Sequence, residues 1–341
     1  MKRLDHLILS MQQADRAPDM GLADLLYYVP CPIKLVAKER IEAIALACAN
    51  EGTPLVTHIP MGCTSVDPYD PLYMETDPDR LPAVIASIGF GDFWRKEFVQ
   101  RFVDTGLFGR ILPEVVNPMF TQAGMLDPDG MYTIYGVTPY IFLVDHQKLA
   151  GRPVPGTWGD LLDPMYKGEL VMCGDGDDMA DAVLLNIYKE FGEDGLVRLA
   201  ANCKSLMHSS RMAKVSGTNA PDAGAVFIIP LFFAESTRLP DHVEVVWPAD
   251  GAAASPLYFL AKKSERVRLA SLIDFFIRDF GDIDSAAWFI PLDGSRPSRL
   301  PAHARLKWVG WDFIASCDIN ALRDELAVKF RMLNPGAACA S

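Results

Sequence analysis

Apolar residues fall along the chain in short runs separated by stretches of helical spacing. Residues 25–29 (Leu-Leu-Tyr-Tyr-Val) make a β-prone run. Behind Pro30-Cys-Pro32 a helical pattern covers 33–50, with Ile41, Ile44, Ala45 and Cys48 on one stripe. Residues 53–59 predict a second strand and 83–88 a third, followed by a helical pattern over 94–102. Strand, loop and helix repeated in this order predict an α/β protein with a parallel sheet. The run 132–145, aromatic and β-branched and interrupted only by Gly136 and Pro139, is long enough to pass from one lobe into another. Residues 256–263 are a second candidate crossing strand. Between them, 171–173 predicts a strand ending at Cys173 ahead of a helical pattern over 179–191, and 225–233 and 243–247 are further apolar runs. From 265 onward the pattern is helix-rich, with a tail after Leu333 expected to fray. Residues 1–24 read as a mostly polar leader to which no chemistry is assigned.

The loops that close these strands carry the candidate chemistry. They read Pro30-Cys-Pro32, Pro60-Met-Gly-Cys-Thr-Ser65, Gly89-Phe-Gly-Asp-Phe93 and Cys173-Gly-Asp-Gly-Asp177, and three of them hold a cysteine: Cys31, Cys63 and Cys173. A strand that stops at a cysteine presents the thiol at the carboxyl edge of the sheet, where open α/β sheets bind ligands. The next helix opens there too, and its N-terminus favours the thiolate. Pro32 suits the first turn of such a helix, and Gly62 gives its loop freedom to turn. Cys48, continuing an apolar stripe, reads instead as a small core residue.

Composition narrows the function classes. Half of the 341 residues are apolar and 22% are charged, as in a folded globular chain of two ordinary lobes. With 32 Lys and Arg against 44 Asp and Glu, the net charge is −12, and no basic cluster offers a surface for nucleic acid or an anionic membrane. No apolar run reaches the roughly 18 residues of a membrane span. Asp5 and His6 break the start before a signal-peptide core can form. The chain is therefore expected in the cytoplasm if this sequence is the full gene product, and in the periplasm if an export signal was removed. Seven cysteines, at 31, 48, 63, 173, 203, 317 and 339, lack the dense spacing of a disulfide scaffold.

Residues 132–297 resemble the periplasmic-binding-protein type 2 family, especially the ferric-ion-binding components of ABC importers. The resemblance rests on Thr157-Trp-Gly-Asp-Leu-Leu-Asp-Pro164 with Tyr166-Lys-Gly-Glu-Leu170, on the block 200–233, and on Trp247-Pro-Ala-Asp-Gly251 leading to Leu257-Tyr-Phe-Leu-Ala261. It implies two Rossmann-like α/β lobes joined by two crossing strands: 25–134 plus 252–341 as lobe one, and 135–251 as lobe two. A ligand is then held in the cleft by hinge closure. The family's ligand loops fall here on Cys31, on 63–65, 89–92, 173–177, 208–211 and 231–233, and the candidate ligand-binding residues in and beside them are Gly62, Thr64, Ser65, Gly91, Asp92, Gly174, Asp175, His208, Ser210 and Phe232. Ferric-binding members carry adjacent tyrosines at the last of these loops, where this chain has Phe232-Phe233.

With the hard phenolate ligands missing and three ligand loops carrying cysteine, the expected cargo is an iron–sulfur cluster or another thiolate-bound metal held by Cys31, Cys63 and Cys173. Cys31 and Cys63 come from one lobe and Cys173 from the other, so the centre would lock the lobes together. The fourth ligand is open: Cys203 falls at a helix end, His208 nearer a contact loop. A recipient metalloprotein or transporter is the implied partner. Two alternatives stand beside this reading. One is an enzyme on the same fold with a cleft cysteine as nucleophile, as in the thiamine-degrading enzymes that share this architecture, and with Asp92, Asp177, His58 or His208 as base. The other is an ordinary solute-binding protein for a small organic ion.

Overall fold

The computed structural model describes residues 20–61, 70–174, 179–236, 238–297 and 299–334. Among these, eleven strands form one mixed sheet. They are β1 (Leu25–Tyr27), β2 (Thr57–His58), β3 (Val84–Ile88), β4 (Thr133–Asp145), β5 (Leu170–Cys173), β6 (Cys203–Met207), β7 (Val226–Pro230), β8 (Val243–Val246), β9 (Ala252–Ala261), β10 (Ile290–Pro291) and β11 (Leu306–Lys307). The helices that matter here are α1 (Lys34–Asn50), α2 (Asp181–Asn202), α3 (Ser209–Val215), α4 (Leu231–Glu235), α5 (Ala270–Ile277), α6 (Trp311–Ser316) and α7 (Ile319–Leu333).

The strand order is β2-β1-β3-β9-β4-β7-β5-β6. At one end β1, β2 and β3 are parallel, and at the other β5, β6 and β7 are parallel. Between them β4 and β9 run antiparallel, β3 adding to β9 and β7 to β4. These are the two crossing strands, and they join two α/β lobes as expected. The strand predicted at 256–263 starts earlier, at Ala252, because a run of alanines pairs as far as Tyr140 of β4. A bulge interrupts the ladder between Ile134 and Gly136. A Cβ on Gly136 would lie 3.0 Å from the Phe280 ring and 3.1 Å from Leu257, so only glycine allows these neighbours to close on β4.

Two predicted elements differ. The second strand shrinks from 53–59 to Thr57–His58, because the Asp24 carboxylate accepts the Val56 N–H at 2.8 Å and takes that residue out of the ladder. The helix predicted over 94–102 is a 3₁₀ turn Asp92–Trp94, a short α-turn Lys96–Phe98 and a π-turn Val99–Val103, winding that brings the Phe98 and Phe102 rings to 5.2 Å at a tilt of 58°.

The two sequence motifs of the second lobe meet through Trp158. Its ring is fully buried edge-on to Phe142, and its indole N–H donates to the Gly251 carbonyl at 2.8 Å. The Trp247-Pro-Ala-Asp-Gly251 turn is in this way fastened to the Thr157-Trp-Gly segment. Gly251 needs its positive φ of 103°, and its Cα faces the Leu306 backbone so closely that a Cβ would lie 2.8 Å from it.

Several acidic groups are buried in neutral form. Burial raises Cys203 from 9.0 to about 12 and holds Tyr27, Tyr135 and Tyr258 above the usual phenol range. Each ionises more readily once unfolded, so its stabilising share is complete below the unfolded pKa and is lost as pH rises through the folded one. For Cys203 that window runs from about pH 9 to about pH 12. Cys203→Ala is expected to abolish this pH-dependent loss of stability, which in the parent reaches at most about 4 kcal/mol at the top of the window. Comparing denaturation midpoints of the two proteins at pH 8 and at pH 10–11 measures it; parallel pH profiles would refute it.

Candidate functional site

The candidate residues lie in the segments that follow the strands of the two parallel ends of the sheet. In β5 all four residues are buried, including Cys173, whose sulfur accepts a hydrogen bond from the Ser209 hydroxyl at 3.1 Å. Ser209 opens α3 and is itself buried, so this thiol faces the packed junction of β5 and α3. Gly174 follows, pressed so near β6 that a Cβ would lie 3.0 Å from Leu206. Cys31 stands, as expected, between β1 and α1, in an exposed 3₁₀ turn Cys31–Ile33. Gly62, Cys63, Thr64, Ser65, Asp175 and Asp177 lie outside the described residues. Of the three cysteines expected to converge, the two described ones therefore differ in kind, one exposed and one covered. Among the described residues no three His, Cys, Asp or Glu side chains are grouped as a metal ion would require. Cys203, the alternative fourth ligand, is buried at the end of α2 with its thiol on the Ser205 carbonyl.

Gly91 and Asp92 belong to a loop that is engaged on several sides. Asp92 pairs with Arg95 at 2.7 Å, and the Arg95 guanidinium lies 4.3 Å from the centre of the Tyr73 ring. The Phe90 peptide is gripped at both ends. Its N–H donates to Asp181 at the start of α2 (3.1 Å), and its carbonyl accepts from Asn320 (3.0 Å) and Arg323 (3.3 Å) of α7. Gly89, with φ of 60°, lies so near the Asp181 carboxylate that a Cβ would meet it at 2.6 Å. Helix α7 also holds α2: Lys329 pairs with Glu193, and Asn334 donates to the carbonyls of Ala200 and Cys203.

The remaining predicted residues form an aromatic group at the ends of β6 and β7. Phe232 and Phe233 open α4 with their rings 5.3 Å apart and nearly perpendicular. The His208 ring stands 6.1 Å from Phe233, and Phe289 lies 6.0 Å from Phe232. His208 is fixed by Ser210, whose N–H donates to Nδ1 at 3.1 Å and whose hydroxyl is 2.8 Å from it. Acceptance at Nδ1 puts the proton of the neutral ring on Nε2. Phe289 arrives from the segment that packs against the Cys31 turn, the 3₁₀ turn Asp284–Ala286 touching Cys31–Ile33. Phe232, Phe233 and His208 are partly or fully exposed in this neighbourhood, and the buried Phe289 packs behind Phe232. Burial raises the Glu235 carboxyl, one turn beyond Phe232.

Sequence reasoning missed Asp181 and Phe289, which carried no motif; Ser209 fell within the loop 208–211 but was given no role of its own. His58, considered as a base, is buried in β2.

Residues 79–317, well over half of the chain, match the model of the bacterial extracellular solute-binding protein family. The chain belongs to that family. Its members bind small ligands in a cleft, and this chain is a solute-binding protein. Comparison with curated proteins finds no match. Among solved structures it is similar to apo ferric ion-binding protein A of Pasteurella haemolytica, at 13% identity with a TM-score of 0.61, covering 94% of this chain and 100% of that one. The Bordetella ferric binding protein is similar at 14% identity and a TM-score of 0.60, covering 91% and 98%. The periplasmic binding protein AfuA of Actinobacillus pleuropneumoniae, with fructose-6-phosphate bound, is similar at 14% identity and 0.54, covering 92% and 98%. At these identities the likeness is one of fold, and it spans nearly the whole of each. No helix among the described residues is long and apolar enough to cross a membrane.

Proposed function

We propose that this solute-binding protein captures a small organic ion in its cleft, the body of the ligand resting on Phe232 and Phe233, which the buried Phe289 backs, and its polar end beside His208 and Ser210. The observation that carries this reading is the phenylalanine pair itself. Its rings, 5.3 Å apart, can offer a π-surface and no ligand atom to a metal. Of the proteins similar in fold, one is a ferric binding protein and another holds fructose-6-phosphate, so the architecture accommodates cargoes of both kinds.

In this reading lobe one comprises 25–134 and 252–341, lobe two 135–251, and the ligand is enclosed by hinge closure about β4 and β9. The bond from the Phe90 N–H to Asp181 supports a closed form, since it ties the loop after β3 to the start of α2. Helix α7, holding both Phe90 and α2, would have to yield at one of these contacts when the lobes part.

The competing cargo, an iron–sulfur cluster or thiophilic metal on Cys31, Cys63 and Cys173, has less support, because Cys173 is fully buried and already accepts from Ser209. One experiment separates the two. Protein purified without oxygen is analysed by native mass spectrometry and for iron, zinc and acid-labile sulfide. An organic adduct at one per chain, retained in Cys173→Ala, is the expected result. Stoichiometric metal that disappears in Cys31→Ala and Cys173→Ala would overturn the organic reading and establish the thiolate one. Closure itself is read by small-angle scattering, with a smaller radius of gyration expected for the loaded protein.

A further inference from the structure

We propose that a cavity apart from the aromatic group at Phe232 is a binding site for a small organic cation such as a substituted ammonium ion. This cavity, of about 700 Å³, lies between the segment after β3, the segment before β4, and α6. None of the residues lining it belongs to the site at Phe232, His208 and Phe289.

Its floor and wall are aromatic. Trp94 and Tyr132 stack in parallel, with centroids 4.1 Å apart and planes 1° apart, and Trp311 stands 5.8 and 6.0 Å from them at a tilt of 37°. Trp94 and Tyr132 are buried at the base of this corner, and Trp311, partly exposed, is the ring that can offer its negative face to a cation. The rim is acidic: Asp104, Asp129 and Asp312 are exposed at the cavity, against one ammonium, that of Lys96. An anionic ligand would meet repulsion there. A bare metal ion needs several donors grouped around it, and among the described residues these carboxylates form no such group. A cation with an apolar body satisfies both the rings and the carboxylates.

The site is also held in advance of any ligand. The buried Asp127 carboxylate accepts the backbone N–H groups of Asp129 (3.0 Å), Met131 (2.7 Å) and Tyr132 (2.8 Å), fixing the loop that carries the rim. The Tyr132 hydroxyl donates to the Phe93 carbonyl at 2.8 Å, fixing the floor. Preorganisation of this kind lowers the ordering cost of binding. The volume lies within the range of pockets for whole small molecules. It exceeds what one lysine or arginine side chain of a partner protein would fill, which favours a free small molecule over a docked basic segment.

The test titrates the full chain with benzyltrimethylammonium chloride and, separately, with benzyl alcohol, following tryptophan fluorescence and heat. Saturable one-to-one binding of the cation alone is expected, weakening with added salt. The affinity should fall about tenfold or more in Trp311→Ala and in the triple variant Asp104→Asn, Asp129→Asn, Asp312→Asn. It should be unchanged in Phe232→Ala with Phe233→Ala. The three aspartates are exposed, so their replacement leaves the fold intact, as circular dichroism will verify. The proposal is overturned by the absence of saturation up to about 10 mM, by equal binding of benzyl alcohol, or by loss of binding in the phenylalanine variant, which would put the probe in the cleft. Tighter binding of tetralysine than of the ammonium probe would overturn the small-molecule assignment.

Discussion

Replacing Trp158 by alanine is expected to destabilise the protein by about 3–5 kcal/mol, the range for emptying a large aromatic site in a core. Its ring is fully buried and meets Phe142 edge-on at 4.9 Å, in the middle of the crossing strand β4. Its indole N–H also satisfies the Gly251 carbonyl at 2.8 Å, and its backbone N–H reaches Asp250 at 3.3 Å. The alanine variant loses the ring and the tie to the turn before β9 together. Trp158→Phe separates them: most of the ring packing stays, and the loss of the Gly251 partner alone should cost about 1–3 kcal/mol. Urea denaturation of the three proteins measures both steps. A loss below about 1 kcal/mol for alanine would mean that the site collapses and that the two motifs are not fastened through this ring.

The order of the elements was legible because each carries its own local signal. A 13-residue strand, buried almost throughout, has no other reading than a long central one once Gly136 and Pro139 are accepted as tolerated interruptions. The position of Cys31 followed from the prolines on either side of it. The orientation of Cys173 did not follow. In β5 all four residues are buried, so the alternation that would say which way a side chain points is absent, as in parallel strands covered on both faces. The thiol was expected at the mouth of the cleft and instead takes a hydrogen bond from Ser209. Phe289 was invisible for a different reason. It lies between the 3₁₀ turn Asp284–Ala286 and the two-residue strand β10, in a segment with no period, and it reaches Phe232 only through tertiary packing. The shortening of β2 has the same origin, a carboxylate 32 positions earlier in the chain competing for one backbone N–H.

Removing both rings in Phe232→Ala with Phe233→Ala is expected to weaken retention of the organic ligand by about 100-fold, or about 3 kcal/mol, because aromatic anchors dominate binding energy in such sites. Both residues are only partly buried, so stability should fall by less than binding does. The ligand released on denaturing the parent protein, added back to each variant in a calorimeter, gives the comparison. An unchanged affinity would remove the phenylalanine surface from the site. The opposite substitution is equally informative. Phe232→Tyr with Phe233→Tyr restores the phenol pair that the resemblance assigns to ferric-binding proteins, and phenolate is a hard ligand suited to Fe(III). Two phenolates alone complete no coordination shell, and the described residues group no three further His, Cys, Asp or Glu side chains in reach of a metal. The tyrosine variant is therefore expected to keep the organic ligand and bind no ferric ion. If it bound iron tightly, the missing donors would have to be present already, the phenylalanine pair would be the single feature steering the cleft away from metal, and the cargo would have changed by the loss of two hydroxyl groups.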